Sequence, residues 1–197
     1  FSASRSAFWI RRAASPCAWA RSSAARCFLA PATYLFQART FAEGALTLPA
    51  PPEAAQPGLE YYLIEVREGR WYSSTLPGWP AVLALGVLAG VPWLLNPLLA
   101  GVSVLLAYDI TRRRAGTDAG DVVALMMGTS PWLLAAAASL MPHTLTLTLI
   151  LFAWWAILRA EDTGRKVGRA MFAAGLAMGL VFAARPMDGL VIGMLTG

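Results

Sequence analysis

The sequence predicts an all-α protein: a polytopic bundle of transmembrane helices with a long extracytoplasmic loop that carries short amphipathic helices. Composition is the first observation, since hydrophobic residues make up 57% of the 197 positions and charged residues 14%. Typical soluble domains have about 45–50% and about 25%. The second is the run from Val91 to Ile110, whose one charge is Asp109 near its end. The third is the group of three consecutive arginines that closes this run.

The run 91–110 sets the expected topology of the chain. A transmembrane helix needs about 20 mostly apolar residues to cross a hydrocarbon core of about 30 Å, and this run has that length. The shorter run 81–90 does not, and it predicts a membrane-surface or re-entrant helix. Because short cytoplasmic loops carry an excess of Lys and Arg, the arginines at 112–114 predict that the span ends on the cytoplasmic side. The loop 159–169, with four basic residues, predicts the same orientation.

We divide the chain into three segments. Residues 1–30 are an Arg/Ser-rich segment on which no fold argument is built, residues 31–90 form the extracytoplasmic loop with amphipathic and re-entrant helices, and residues 91–197 hold the transmembrane helices. The expected spans cover about 91–110, 120–140, 142–158, 170–187 and, incompletely, 190–197. The chain opens on Phe1 and stops within the last of these helices, so we expect it to be truncated at both ends.

The first thirty residues carry the whole net charge of +5, because they contain five arginines and no acidic residue. Their composition fits an organellar transit peptide, and it equally fits an out-of-frame or truncated start. The remainder of the chain is balanced between acidic and basic residues. It lacks a basic helix face with interleaved aromatics, which would be needed to follow a nucleic-acid backbone. We therefore expect no nucleic-acid partner.

The segment 31–90 predicts two ordered pieces separated by a proline-rich loop. Thr33–Gly44 predicts an amphipathic helix, with one apolar face formed by Leu35, Ala38, Phe41 and Ala42. Tyr61–Val66 is a β-like run, and the pair Glu68-Gly69 predicts a turn after which residues 70–72 return as a second strand. This hairpin fits a solvent-exposed loop and a substrate-side loop equally well.

Few residues remain that could carry chemistry. One His and two Cys cannot build an ordinary zinc cluster, and the sequence has no nucleophile elbow, phosphate-binding loop or dinucleotide fingerprint. His143 lies at the head of an apolar helix, and Arg185 and Asp188 are close enough for a local ion pair. Each of these residues alone fits a structural role at a helix end. Their placement on one predicted surface, beside Arg70 and Tyr72, equally favours a site, because ionisable groups at membrane depth are usually functional.

The order of short motifs along residues 33–197 resembles the front third of a known enzyme class. These motifs are the helix Tyr34-Leu-Phe-Gln-Ala-Arg, Gly69-Arg-Trp-Tyr, Pro77-Gly-Trp-Pro, Asn96-Pro, Met-Pro-His143 and Ala-Arg185-Pro-x-Asp188. The class is that of polytopic GT-C-type glycosyltransferases, such as protein mannosyltransferases and lipid A aminoarabinose transferases.

The resemblance implies an enzyme that transfers a sugar from a polyprenyl-phosphate donor on the extracytoplasmic side of the membrane. It implies a multi-pass protein of the bacterial inner membrane whose partners are membrane lipid and the donor, with no metal and no cofactor. The candidate substrate-binding residues are Tyr34, Arg39, Arg70, Tyr72, His143, Arg185 and Asp188. A cationic side chain among them would stabilise the departing lipid phosphate. An aromatic side chain, namely Tyr34, Tyr72 or Trp79, could stack on the sugar or on the prenyl chain.

The chain departs from this class at one position that matters for catalysis. The resemblance implies an acidic general base just before Tyr34, but residues 29–33 contain no acid. The catalytic base is therefore unknown, and we expect the chain as given not to catalyse transfer. The alternative is a non-enzymatic polytopic protein, such as a transporter or an assembly subunit. Transporters break their helices near the bilayer midplane, whereas the Pro77–Pro80 break is expected at the membrane surface, which favours the enzyme.

Overall fold

A computed structural model describes residues 23–52, 63–163 and 167–196 of the chain. These residues are mostly helical, with three short strands. The chain divides into two compact units, Phe1–Thr75 and Leu76–Gly197. The division falls inside the predicted 31–90 segment. Most of the predicted 1–30 segment lies outside the described residues.

Within its described residues, the first unit contains one helix and a small antiparallel sheet. Its elements are α1 (Ser23–Ala42), β1 (Leu48–Pro49), β2 (Ile64–Arg67) and β3 (Arg70–Ser73). The sheet order is β1-β3-β2. Glu68 and Gly69 connect β2 to β3 with φ of 51° and 73°, and a tight hairpin turn with two positive φ values matches the twist of its strands. The predicted hairpin is confirmed.

Helix α1 packs against β3. The rings of Phe36 and Trp71 lie 4.6 Å apart. Gln37 Oε1 accepts a hydrogen bond from the backbone N–H of Ser73 at 3.0 Å, and Gln37 Nε2 donates to the carbonyl of Leu46 at 3.0 Å. Gln37 therefore ties the helix to the strand and to the loop that follows the helix.

The helix differs from its prediction in two ways. It begins at Ser23 rather than Thr33. Among residues 31–42, whose burial is described, the buried side chains are largely polar, namely Thr33, Gln37, Ala38 and Thr40. Only Ala38 of the predicted apolar face is buried. The reason is that Gln37 has backbone partners on β3 and after the helix, and such partners offset the cost of burying an amide.

The second unit is entirely helical within its described residues. Its elements are α2 (Gly78–Leu88), a 3₁₀ turn (Pro92–Leu94), α3 (Leu95–Ala115), α4 (Thr117–Gly128), α5 (Pro131–Ala137), α6 (His143–Thr163), α7 (Val167–Ala184) and α8 (Pro186–Thr196). Among the described residues, three stretches are long and apolar enough to cross a membrane: Pro92–Ala115, His143–Asp162 and Val167–Ala184. A fourth is added if the bent pair α4 and α5 is counted as one span.

Two of the expected spans are interrupted by proline. The span expected at 120–140 consists of α4 and α5, which meet at an angle of 58°. Ser130 is extended there (φ −63°, ψ 120°), as favoured before a proline. The span expected at 170–187 ends at Ala184, and α8 begins at Pro186 rather than at residue 190. Conversely, α3 and α6 extend beyond the C-terminal ends of the expected spans 91–110 and 142–158.

Helices α3 and α6 run parallel and are joined along their length. Near their N-termini, the Asn96 side chain bonds Thr144, and Ser103 Oγ lies 2.8 Å from Thr148 Oγ1. At their C-termini, Arg114 pairs with Glu161 at 3.0 Å. We call the two ends of this pair the His143 end and the arginine end. The two predicted basic loops, 111–119 and 159–169, both adjoin the arginine end.

The second unit buries polar groups and exposes apolar ones. Its buried residues include Asn96, Ser103, Thr144 and Thr148 between α3 and α6, whereas Leu105 is 67% exposed. In water this arrangement would be costly. In lipid it is expected, since helices there associate through interhelical hydrogen bonds and close packing while apolar side chains face the hydrocarbon. The fold is compatible with a multi-pass integral membrane protein.

Candidate functional site

Arg185 lies at the junction of two helices at the His143 end. Its backbone N–H donates to the carbonyl of Val181 at 2.7 Å, which closes the last turn of α7. Pro186 then starts α8. Gly189 allows α8 to approach α7, because a Cβ at this position would lie 3.0 Å from Cα of Phe182. The junction is therefore tight, and it fixes the point from which the Arg185 side chain extends.

Three of the predicted site residues form one cluster at this end. Arg185 Nη1 lies 2.8 Å from His143 Nδ1 and 2.9 Å from Asp188 Oδ2. A guanidinium group can only donate, so Nδ1 of His143 accepts, and the imidazole is neutral with its hydrogen on Nε2. Asp188 lies in the first turn of α8, where a carboxylate is favoured by the helix dipole. The cluster combines one cation, one anion and one neutral donor.

Several N–H donors of the cluster have no protein partner among the described residues. Both of its contacts use Nη1 of Arg185. Within the described part of the chain, Nε and Nη2 of Arg185 and Nε2 of His143 have no protein partner. The side chain of Arg185 is 36% exposed, and none of these three nitrogen atoms is among the described side-chain atoms that are buried without a partner, so these N–H groups are accessible. An array of N–H donors around a fixed guanidinium suits a planar or tetrahedral oxyanion, such as a carboxylate or a phosphate.

The turn before His143 is held by side chains from two other helices. Asn96 of α3 donates to the carbonyl of Ser139 and, at 3.0 Å, to that of Met141. Trp79 of α2 donates to the intervening carbonyl of Leu140 at 2.8 Å. Asn96 and Trp79 are both buried. Three consecutive carbonyls are thus bonded, and the start of α6 cannot shift without breaking buried hydrogen bonds.

Helix α2 also contacts the other side of the cluster. A Cβ on Gly78 would lie 2.6 Å from the carbonyl carbon of Ala183. Only glycine permits that approach of α2 to the last turn of α7. One short helix therefore braces the turn that leads to His143 and the turn that leads to Arg185.

An exposed aromatic residue borders the cluster. The ring of Trp132, on α5, lies 6.2 Å from the ring of His143 at an interplanar angle of 54°. Trp132 is 60% exposed. The imidazole thus neighbours both the indole ring and the guanidinium group of Arg185.

The remaining predicted site residues belong to the first unit. Tyr34 and Arg39 lie on α1, and Arg70 and Tyr72 lie on β3. Trp71 contacts α1, and because side chains alternate along a strand, Arg70 and Tyr72 lie on the opposite face of β3. The two pairs therefore do not converge within the first unit. Their convergence with His143 and Arg185 stays a prediction.

The arginine end is an ionic network. Asp109 accepts from Arg112 and Arg113 at 2.8 Å each and from Trp155 Nε1 at 2.9 Å. Arg113 and Arg114 also pair with acidic residues at the end of α6. These pairs hold the ends of α3 and α6 together.

Sequence reasoning missed the roles of Asn96 and Trp79. The one signal for Asn96 was its position inside an apolar run, because an amide placed in lipid needs partners. The expectation that Trp79 could stack on a sugar or a prenyl chain is wrong, because its side chain is buried and its indole N–H donates to Leu140. The sequence did not signal this, since tryptophan occurs both at membrane surfaces and in protein cores.

Comparison with known proteins found no matching family model, no matching curated protein and no matching solved structure. The class of protein therefore rests on the chain's own geometry. The described part of its second unit has three helices, or four possible spans with the bent pair, that could cross a membrane by length and composition. At one end of these helices lies a polar cluster with accessible N–H donors.

Proposed function

We propose that this chain takes part in an integral-membrane glycosyltransferase that moves a sugar from a polyprenyl-phosphate donor to an acceptor on the extracytoplasmic side. In this proposal the His143 end binds the phosphate of the donor. One observation carries it: the N–H groups of Arg185 and His143 that have no protein partner in the described residues are accessible at the end of long apolar helices. A lipid-linked phosphate lies where such helices reach the membrane surface.

The orientation of the second unit supports this assignment. Arginines 112–114 end α3, and the positive-inside rule assigns such a loop to the cytoplasm. The His143 end is then extracytoplasmic. A membrane-embedded lipid would present its phosphate at that surface, at the depth of the guanidinium group.

The chemistry requires a fixed cation at this point. In transfer, an acceptor hydroxyl oxygen bonds to the anomeric carbon, and the bond from that carbon to the phosphate oxygen breaks. The electron pair stays on the phosphate, and the hydroxyl proton passes to a base. Preorganised donors that face the developing negative charge lower the barrier, and Arg185, held by His143 and Asp188, supplies them. Residues 29–33 supply no carboxylate as base, so this chain binds the donor without completing the transfer.

The first unit carries the other candidate substrate-binding residues. Tyr34, Arg39, Arg70 and Tyr72 have the aromatic and cationic groups that suit a sugar and a phosphate.

A second candidate is a non-enzymatic polytopic protein, such as a transporter or an assembly subunit, in which the cluster only joins helices. Asp188 favours it, because this carboxylate already balances the charge of Arg185 at 2.9 Å. In that case Arg185 would join α6 to the junction of α7 and α8 and would bind no anion.

Binding of a short prenyl phosphate to the full chain in lipid nanodiscs separates the two candidates. We expect Arg185→Gln to weaken binding of citronellyl phosphate by about tenfold to a hundredfold, since a hydrogen bond to a charged group contributes about 1.5–3 kcal/mol. Arg185→Lys keeps the charge but loses the planar fork and should weaken binding less. Arg169→Gln is the matched control, because Arg169 is exposed at the opposite end of α7. Equal binding by the wild-type chain and Arg185→Gln would refute the donor site.

A further inference from the structure

Trp132 differs from a general membrane-surface tryptophan in what lies beside it. Its ring is 6.2 Å from that of His143, and His143 Nδ1 is 2.8 Å from Arg185 Nη1. The neutral imidazole is therefore adjacent to an aromatic ring and to a guanidinium group. The indole is 60% exposed, so no neighbouring element of the described chain covers it fully.

The turn that joins the helix of Trp132 to His143 is held by buried hydrogen bonds. Helix α5 leads directly into the turn whose carbonyls accept hydrogen bonds from Asn96 and Trp79. Along the chain, Trp132 precedes this turn and His143 follows it. Their separation is thus set by the fold, which a binding surface for a rigid ligand requires.

We propose that Trp132 binds the sugar ring of a phosphate-linked hexopyranose whose phosphate is held by Arg185 and His143 Nε2. This inference rests on the proposed function and adds the residue that contacts the sugar. One face of such a pyranose consists mainly of C–H groups, and an exposed indole offers a flat apolar surface on which that face packs. The sugar is bonded to the phosphate, so a ligand on Arg185 places its ring beside the cluster, where the indole lies.

The chain contains a matched control for this inference. The sequence Pro-Trp-Leu-Leu occurs at 92–95 and again at 131–134. Trp93 is 65% exposed, similar to Trp132, and each tryptophan follows the proline that begins its helical turn. Only Trp132 has a described ring contact with His143. If these tryptophans served only as interfacial anchors, their substitution would have the same effect.

The test uses two probes, citronellyl phosphate and citronellyl phosphoryl-glucose, with the full chain in nanodiscs. We expect Trp132→Ala to weaken binding of the glucose-bearing probe by about tenfold and to leave the bare phosphate unaffected. Trp132→Phe keeps a flat ring and should restore most of the affinity. Trp93→Ala should bind both probes as the wild-type chain does. Thermal unfolding of each variant checks that the exposed substitutions leave the fold intact.

The possible results separate this inference from the function on which it rests. If Trp132→Ala binds both probes normally while Arg185→Gln binds neither, the phosphate site stands and the sugar contact is refuted. An equal loss of both probes in Trp132→Ala would place the ring against the prenyl chain and would also refute it. If Arg185→Gln binds both probes as the wild-type chain does, the phosphate site and the sugar contact fail together.

Discussion

Asn96 is the side chain on which the geometry of the His143 end depends most. It donates to the carbonyls of Ser139 and Met141 and accepts from the hydroxyl of Thr144. It is fully buried. Asn96→Ala removes all three hydrogen bonds at once and leaves two carbonyls and one hydroxyl short of a partner.

The expected loss of stability follows from counting those groups. A buried polar group that loses its partner costs about 1–3 kcal/mol. Hydrogen bonds between membrane helices are weaker on average, at about 0.6 kcal/mol with a maximum near 1.7. Three groups at about 1 kcal/mol each give a loss of about 3 kcal/mol for Asn96→Ala.

Ser103→Ala provides the comparison, because Ser103 is equally buried but differently connected. Its partner Thr148 keeps the carbonyls of Leu99 at 3.0 Å and Thr144 at 2.7 Å. No group is left without a partner, so the expected loss is about 0.5–1 kcal/mol. Burial alone would predict similar losses for the two variants.

The measurement is equilibrium unfolding of the full chain in mixed micelles, with increasing SDS and with far-UV circular dichroism as the signal. Asn96→Asp is a third variant, which can still accept from Thr144 but cannot donate to the two carbonyls. We expect it to be at least as unstable as Asn96→Ala. A loss below about 1 kcal/mol for Asn96→Ala, or one no larger than that of Ser103→Ala, would refute the argument that this amide holds the turn.

Two further predictions test the topology and the close approach of α2. The first uses single cysteines in a cysteine-free background. Tyr72→Cys should react with a membrane-impermeant reagent in intact cells and Arg113→Cys should not, because the arginine end is expected to be cytoplasmic. The reverse labelling would refute the orientation. The second compares two glycine variants. Gly78→Ala should lower the free energy of unfolding by about 1–3 kcal/mol, since its Cβ would lie 2.6 Å from the α7 backbone. Gly175→Ala should be neutral or slightly stabilising, because no atom lies within 4 Å of its Cβ, and equal unfolding curves for the two variants would contradict the contact at Gly78.

Local sequence signals were enough for the features that depend on neighbouring residues. The hairpin followed from Glu68-Gly69, because a tight turn needs positive φ at those positions. The pairing of Arg185 with Asp188 followed from their spacing. The placement of both basic loops at one end followed from the opposite directions of successive spans. Each of these features can be predicted from a few neighbouring residues or from the number of times the chain crosses the membrane.

The break in the expected span 120–140 is also a local feature, imposed by Pro131 and the extended Ser130, but hydropathy is high on both sides of Ser130 and does not register it. The other features depend on contacts that no window of sequence contains. The polar face of α1 depends on Gln37 meeting β3, which lies more than thirty residues later. The contact of His143 with Arg185 required the side chains themselves, since sharing a surface does not place two groups 2.8 Å apart.

The hydrogen bonds between α3 and α6 bear on how the chain enters a membrane during synthesis. Ser103 can be satisfied early, because its hydroxyl donates to the Leu99 carbonyl of its own helix at 2.9 Å. Asn96 cannot, since every described partner of its side chain lies beyond α5. Helix α3 would therefore leave the ribosome with an amide that lipid cannot satisfy. We expect α3 to remain beside the insertion machinery until α6 emerges, so that the two parallel helices enter the bilayer together.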